Sequence, residues 1–255
     1  MLGFTRLILS LIIMAHHASG NSWRGGGSAV ILFFVLSGFL HTAGMVERYG
    51  FSLKGQISFL QNRAKRIFPI YWMVLGVSCF ALLFWDLNFY RERMLIPTTL
   101  WDWLRNILLI NPIPRGAPQP VPTSWALSIE GFWWILIAFG ITKTKRRALT
   151  LATASFALYL LDDEWNYFEY AYAGFPFAIG AVLYWHGLRI PKDKSNAAML
   201  AGALSYPIFL SHNLFLAILQ SLFFWWGWPL FFAALLPTIA FSWALLKIES
   251  RITRQ

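Results

Sequence analysis

The sequence predicts an all-α fold, a polytopic transmembrane helical bundle of about eight spans with both termini cytoplasmic. The chain is 58% hydrophobic and only 13% charged, whereas soluble domains carry roughly 25% charged residues. Its 14 Trp and 23 Phe exceed what one soluble core of 255 residues can bury. Apolar runs recur along the whole chain, and helices satisfy their own backbone hydrogen bonds in lipid. We therefore expect one integral membrane domain, residues 1–255.

Eight apolar segments are predicted to cross the membrane. They cover residues 4–18, 29–46, 67–85, 124–141, 148–161, 170–188, 200–224 and 230–246. The side that holds both termini carries 16 of the 21 Lys and Arg, and the opposite side carries five. Because basic residues concentrate in cytoplasmic loops, this distribution places both termini in the cytoplasm. It also explains the net charge of +10 without nucleic acid as a partner.

The longest segment outside the spans, residues 86–123, is predicted to be extracytoplasmic. Within it, residues 100–110 have the Trp anchors and the uneven apolar face of a helix that lies in the membrane interface. Span 3 is predicted to begin at Ile67, because Pro69 then falls in a first helical turn, where proline is favoured. Cys79 is the only cysteine, which excludes an intramolecular disulfide.

Arg6 and His17 are polar residues inside the otherwise apolar first span. Such residues are costly in lipid and mark functional sites. They are eleven residues apart, so they share one helix face about 16 Å apart along the axis, and His16 points elsewhere. Histidine titrates near neutral pH, which suits His17 to general-base catalysis. An interfacial histidine at the outer end of a short span explains the residue equally well.

Arg63 and Arg66 share a helix face at the cytoplasmic mouth of span 3, because they are three residues apart. Their spacing alone favours an ordinary basic flank or a contact with anionic lipid. The functional alternative is a clamp for phosphate groups, which arginine binds in a fixed bidentate geometry.

Glu130 and His212 are two further polar residues within predicted spans. Glutamate is rarely buried without a partner. A structural ion pair and a direct catalytic role are therefore equally good explanations of Glu130. His212 taken alone has the pattern of a hydrogen-bonded core residue. His41 and His186 lie near span ends and are expected to be interfacial.

Five polar and aromatic motifs follow one another along the chain. They are Arg6 to His17, Phe33-Phe34-x-x-Ser37-Gly38-Phe39, Arg63-x-x-Arg66 followed by Pro69-x-Tyr71, Trp125-x-x-x-x-Glu130, and Ser205-Tyr206-Pro207-x-x-Leu210-x-His212. In this order they resemble the acyltransferase-3 family of bacterial membrane O-acyltransferases. The resemblance covers most of the chain.

The resemblance implies an acyl-CoA-dependent enzyme of the bacterial inner membrane. It would move an acyl group, above all acetyl, to a hydroxyl of a cell-surface glycan or glycolipid, with no metal. His17 and Glu130 would be catalytic. The donor phosphates would bind three arginines, Arg6, Arg63 and Arg66. Structural or substrate-positioning roles would fall to Ser37, Gly38, Trp125, Tyr71 and His212.

Three departures from the family pattern keep other functions open. Ile31 replaces an acidic residue that many members have, Ala126 replaces a usual serine, and eight spans are predicted where about ten are typical. A catalytically degenerate paralogue would explain these departures. A small-molecule or lipid carrier is a second alternative, although it should show internal hydropathy repeats, and none is visible.

Overall fold

The computed structural model describes residues 2–20, 22–23, 25–89, 92–110, 118–161, 170–189, 193 and 195–252. Nine α-helices lie within these ranges: α1 (Leu2–Ala18), α2 (Gly25–Gly44), α3 (Leu53–Leu82), α4 (Leu100–Leu108), α5 (Ser124–Ala138), α6 (Lys145–Leu161), α7 (Tyr170–Trp185), α8 (Asn196–Phe223) and α9 (Trp228–Ile252). A π-helical turn, Met45–Tyr49, continues α2. Two short antiparallel strands, β1 (Asn88–Phe89) and β2 (Glu92–Arg93), were not predicted. Six basic residues in the charge count lie outside the described residues: Arg24, Arg91, Arg115, Lys192, Lys194 and Arg254.

Each predicted span coincides with one of the helices, which confirms the helical class. Four helical segments are long and apolar enough to cross a membrane, namely Gly25–Tyr49, Leu53–Leu82, Asn196–Phe223 and Trp228–Arg251. Three apolar helices are shorter, namely Leu2–Ala18, Ser124–Ala138 and Ala171–Trp185. The number of crossings and the cytoplasmic location of the termini stay predictions.

Helices α1 and α8 run parallel and in direct contact. Gly3 lies against Ala198, and one to two turns further along both helices the Ser10 hydroxyl donates to the Ser205 carbonyl at 2.8 Å. Helices α2 and α7 are also parallel, since ring contacts pair Phe34 with Phe177 and Phe39 with Tyr184. In a chain that crosses the membrane back and forth, odd-numbered spans run in one direction and even-numbered spans in the other. The parallel pairs fit this rule, because α1 and α8 are predicted spans 1 and 7, and α2 and α7 are predicted spans 2 and 6.

Helix α3 begins 14 residues before the predicted start of span 3. Ser52 caps its N-terminus, with the side-chain oxygen accepting from the Gly55 N–H at 3.3 Å. Pro69 therefore lies inside the helix, and the prediction that it occupies a first turn is wrong. The N-cap favours helix formation from Ser52 onward, so Arg63 and Arg66 project from a helix continuous with the span.

Helix α4 confirms the predicted helix at residues 100–110, and its polar side faces the protein. Thr99 and Asp102 form a capping box. The hydrogen bond from the Thr99 hydroxyl is the main cause that lowers the pKa of Asp102. Asp102 and Asn106 are buried, whereas Leu100 and Trp101 are 77% and 61% exposed. An apolar outer surface fits a helix in contact with lipid.

Tyr71 attaches α4 to α3, because its buried hydroxyl donates to the Asn106 carbonyl at 2.6 Å. We expect Tyr71→Phe to lower the free energy of unfolding by about 1 kcal/mol, the usual net value of such a hydrogen bond. Thermal unfolding in detergent would show this as a lower midpoint with the helical content of the native state unchanged. An unchanged midpoint would mean that this hydrogen bond does not hold α4 in place.

Candidate functional site

Glu130 on α5 contacts two residues of α2. Its Oε1 accepts a hydrogen bond from Ser37 Oγ at 2.9 Å and lies 3.7 Å from His41 Nε2. Ser37 and His41 are four residues apart, so they share one face of α2. The carboxylate thereby joins α2 to α5 within the bundle.

His41 lies inside the protein, and its interfacial depth in the membrane stays a prediction. Its side chain is only 5% exposed, and its ring packs edge-on against Phe59 and Trp134. The π-helical turn extends α2 by five residues to Tyr49, which leaves His41 two turns inside this helical segment rather than at its end.

Three arginines and several polar groups surround a cavity that we name the basic chamber. It has a water-accessible volume of about 400 Å³. Its polar lining consists of Arg6, His41, Tyr49, Arg63, Arg66 and Asp193. Arg6 comes from α1, whereas Arg63 and Arg66 come from α3 and line the same cavity.

The electrostatic balance of the basic chamber is positive. Arg6 lies within electrostatic range of Arg63, Arg66 and Glu130. Asp193 also lines the chamber and accepts a hydrogen bond from the Gly3 N–H at 2.8 Å. Three guanidinium groups therefore oppose two carboxylates. A chamber of this kind favours an anionic ligand with several negative charges.

A second cavity, which we name the inner pocket, lies beside the basic chamber. Arg6 lines both cavities. Ser37, Glu130, Ser205 and Tyr206 form the polar part of the inner pocket. The remainder is apolar and is formed by Val30, Phe33, Phe34, Ala126, Leu127 and Phe209. Its water-accessible volume is only about 40 Å³.

His17 and His212 contact each other at the far end of α1 from Arg6. Their ring centroids are 5.2 Å apart. His212 is fully buried, and its Nδ1 lies 3.1 Å from the Ile208 carbonyl. A carbonyl only accepts, so Nδ1 carries the proton and Nε2 presents its lone pair. Phe209 links this histidine pair to the inner pocket, since its ring lies 6.3 Å from that of His212.

The predicted site residues therefore form two groups near the opposite ends of α1. Arg6, Arg63, Arg66, Ser37 and Glu130 surround the basic chamber and the adjoining end of the inner pocket. His17 and His212 lie about 16 Å further along, by the rise of α1. Glu130 lies at the arginine end, where it contacts Ser37 and His41.

Three predicted site residues lie in the surrounding framework. Tyr71 holds α4, as described above. Trp125 packs edge-on against Phe34 at 6.4 Å. Gly38 permits a close approach of α2 to α7, because an added Cβ would lie 2.1 Å from the Phe177 carbonyl oxygen.

Sequence reasoning missed His41, Tyr206 and Phe209 as residues of the site. His41 had a detectable signal, its four-residue spacing from Ser37. Tyr206 donates to the Ile67 carbonyl at 2.9 Å and joins α8 to α3. Within the described part of the chain, no three His, Cys, Asp or Glu side chains are grouped to hold a metal; the absence of a metal from the function stays an expectation.

Two known proteins are similar to part of the chain. YrhL of Bacillus subtilis (strain 168), provisionally named a peptidoglycan O-acetyltransferase, is 26% identical over 166 residues, which are 59% of this chain and 25% of YrhL. O-acetyltransferase OatA of Staphylococcus aureus (strain NCTC 8325 / PS 47) is 26% identical over 140 residues, 53% of this chain and 23% of OatA. The matched segment spans about a quarter of the length of each relative. No family model and no solved structure matches the chain.

Proposed function

We propose that this protein is an acyl-CoA-dependent membrane O-acyltransferase that moves an acyl group, above all acetyl, to a hydroxyl of a cell-surface glycan or glycolipid. One observation carries the proposal. Arg6 of the basic chamber and His17 of the histidine pair lie on one face of α1, about 16 Å apart along its axis. An extended pantetheine arm, which joins the phosphates of CoA to its thioester, has a length of the same order.

The acceptor is proposed to be a cell-wall glycan. The names of the two relatives support this substrate class. The distribution of basic residues supports cytoplasmic termini, and the family resemblance supports a bacterial inner membrane. The donor then reaches the basic chamber from the cytoplasm, and the acceptor reaches His17 from the opposite side.

The donor phosphates bind to Arg6, Arg63 and Arg66. Arginine suits this task because its guanidinium is always charged and binds phosphate oxygens in pairs. Glu130 accepts a hydrogen bond from Ser37 and offsets part of the arginine charge. It therefore acts as a positioning residue near the arginines.

His17 acts as the general base. It takes the proton from the acceptor hydroxyl, and the hydroxyl oxygen attacks the acyl carbonyl carbon. A C–O ester bond forms, the thioester C–S bond breaks, and the proton passes from His17 to the departing sulfur. His212 orients His17, because its Nε2 can accept a hydrogen bond from the His17 ring.

Arg63→Gln is expected to weaken CoA binding about 10- to 100-fold, because a hydrogen bond to a charged group contributes about 1.5–3 kcal/mol. Calorimetric titration of the purified protein with CoA would measure the change. Arg146→Gln is the matched control, since Arg146 is an exposed arginine at the start of α6. Equal affinities for both variants would contradict the assignment of the chamber to the donor.

Transfer of labelled acetyl from acetyl-CoA by the reconstituted protein tests the reaction itself. Label that appears on muropeptides or on a glycolipid acceptor supports the enzyme. Folded protein that binds no CoA and transfers no label would favour a degenerate paralogue or a carrier.

A further inference from the structure

We infer that His41, Tyr49 and Arg63 form a separate phosphate subsite of the basic chamber, which binds the 3′-phosphate of the CoA donor and makes the protein prefer CoA to dephospho-CoA. This inference rests on the proposed function and specifies how its donor is recognised. It depends on the grouping of the three side chains, on their hydrogen-bonding state and on the division of the arginines within the chamber.

The three side chains are grouped around one aromatic ring. Phe59 lines the basic chamber and is fully buried. The rings of His41 and Tyr49 pack edge-on against it, with centroid distances of 5.8 and 5.5 Å. The guanidinium carbon of Arg63 lies 5.8 Å from the centroid of the same ring. All three residues line the chamber, so together they form one part of its wall.

Each of the three side chains has a buried polar atom without a protein partner. These atoms are Nδ1 of His41, the hydroxyl oxygen of Tyr49 and Nε of Arg63, and none has a hydrogen-bond partner within the part of the chain that the structure describes. Buried polar atoms are nearly always hydrogen-bonded, so three exceptions in the wall of one cavity point to a polar ligand. An arginine nitrogen only donates, a tyrosine hydroxyl can donate, and an imidazole nitrogen donates when it carries a proton. The ligand is therefore expected to present acceptor oxygens.

A phosphate monoester fits this set of donors. It carries nearly two negative charges at neutral pH, and its three terminal oxygens accept hydrogen bonds. Arg63 supplies positive charge. Glu130 Oε1 lies 3.7 Å from His41 Nε2, so a His41 ring with both nitrogens protonated can donate to this carboxylate and to the phosphate. The 3′-phosphate is the one phosphate monoester of CoA, because its other two phosphates form a diphosphate bridge.

The other two arginines belong to a different part of the chamber. Arg6 also lines the inner pocket, and its electrostatic interaction with Arg66 is stronger than that with Arg63. Arg66 lies about one helical turn further along α3 than Arg63. Arg6 and Arg66 therefore suit the diphosphate bridge, which adjoins the pantetheine arm. Arg63 is left for the phosphate on the ribose, at the opposite end of the donor from the thioester.

Calorimetric titration of the purified full chain with CoA and with dephospho-CoA tests this inference. The wild-type protein is expected to bind CoA about 10- to 100-fold more tightly, because dephospho-CoA lacks the group that accepts these charged hydrogen bonds. Tyr49→Phe is expected to weaken CoA binding about tenfold and to leave dephospho-CoA binding unchanged. This variant removes a hydroxyl and no charge, so its effect cannot come from a general loss of positive potential.

Further variants separate the subsite from other effects. Tyr159→Phe is the matched control, because Tyr159 lies on α6, where it stacks on Phe156, and it should leave both affinities unchanged. Arg66→Gln should weaken both ligands by similar factors, because both contain the diphosphate bridge. His41→Asn retains a side-chain N–H donor, so it should keep more of the preference for CoA than His41→Phe.

Equal affinities of the wild-type protein for CoA and dephospho-CoA would overturn the subsite and leave the proposed function standing. A Tyr49→Phe protein that loses affinity for both ligands equally would have the same consequence. Phosphatidic acid in mixed micelles offers the same phosphate monoester on a lipid. If Tyr49→Phe weakened its binding but not that of CoA, the subsite would belong to a lipid headgroup and the inference would be wrong. Folded wild-type protein that binds neither CoA nor dephospho-CoA would overturn the proposed function as well.

Discussion

Replacing His17 with alanine is expected to lower acetyl transfer about 100- to 10,000-fold, the usual contribution of a general base. The reason is that the acceptor hydroxyl would lose the group that takes its proton during attack on the acyl carbon. CoA binding should stay unchanged, because the basic chamber lies about 16 Å away along α1. Labelled acetyl transfer and CoA titration on the same preparation would measure both quantities.

His16→Ala is the matched control for this experiment. The His16 ring contacts the His17 ring at 5.5 Å, and its Nδ1 contacts the Trp23 carbonyl. Removal of His16 deletes an adjacent imidazole of the same chemistry without removing the proposed base. If His17→Ala retained most of the transfer, or if both variants lost it equally, His17 would not be the general base.

Gly38→Val is expected to prevent stable folding, the largest structural effect predicted for any single substitution here. A Cβ at Gly38 would lie 2.1 Å from the carbonyl oxygen of Phe177 on α7. The contact is reciprocal, because a Cβ at Gly180 would lie 2.0 Å from the carbonyl oxygen of Val35. Both clashes are with backbone, which cannot rotate away as a side chain can.

The cost of this substitution should exceed the roughly 1–3 kcal/mol typical of overpacking, because α2 and α7 would have to separate. Helices in lipid associate largely through close packing at small residues. Size-exclusion chromatography in detergent and thermal unfolding should show little monodisperse protein and a strongly lowered midpoint.

Gly44→Ala provides the comparison on the same helix, since an added Cβ there meets nothing within 4 Å. It should fold like the wild-type protein, because alanine has a higher helix propensity than glycine. A Gly38→Val protein that folds and unfolds like Gly44→Ala would show that α2 and α7 do not pack as closely as described.

Local spacing was sufficient to predict several features of the site. Arg63 and Arg66 were placed on one helix face from their three-residue spacing, and the structure shows both in the wall of one chamber. The apolar segments were located because a long run of apolar residues marks a helix in lipid. The start of α3 was missed because the signal at Ser52, an N-cap, precedes a charged stretch rather than an apolar one.

His41 shows where local reasoning stopped. Its position near the end of an apolar run suggested the interface, but a π-helical turn extends the helix and Glu130 of another helix lies 3.7 Å from its ring. Neither the partner nor the extension is encoded in the spacing of neighbouring residues.

The sequence by itself determined the helical class, the apolar segments and the residues able to carry the chemistry, because these follow from composition and from periodicity along one helix. Only the tertiary structure decided which helices are neighbours. It paired α1 with α8 and α2 with α7, brought Glu130 to Ser37, and placed Phe209 in the wall of the inner pocket. The physical reason is that such contacts depend on the fit of side chains from distant segments, which a one-dimensional pattern does not specify.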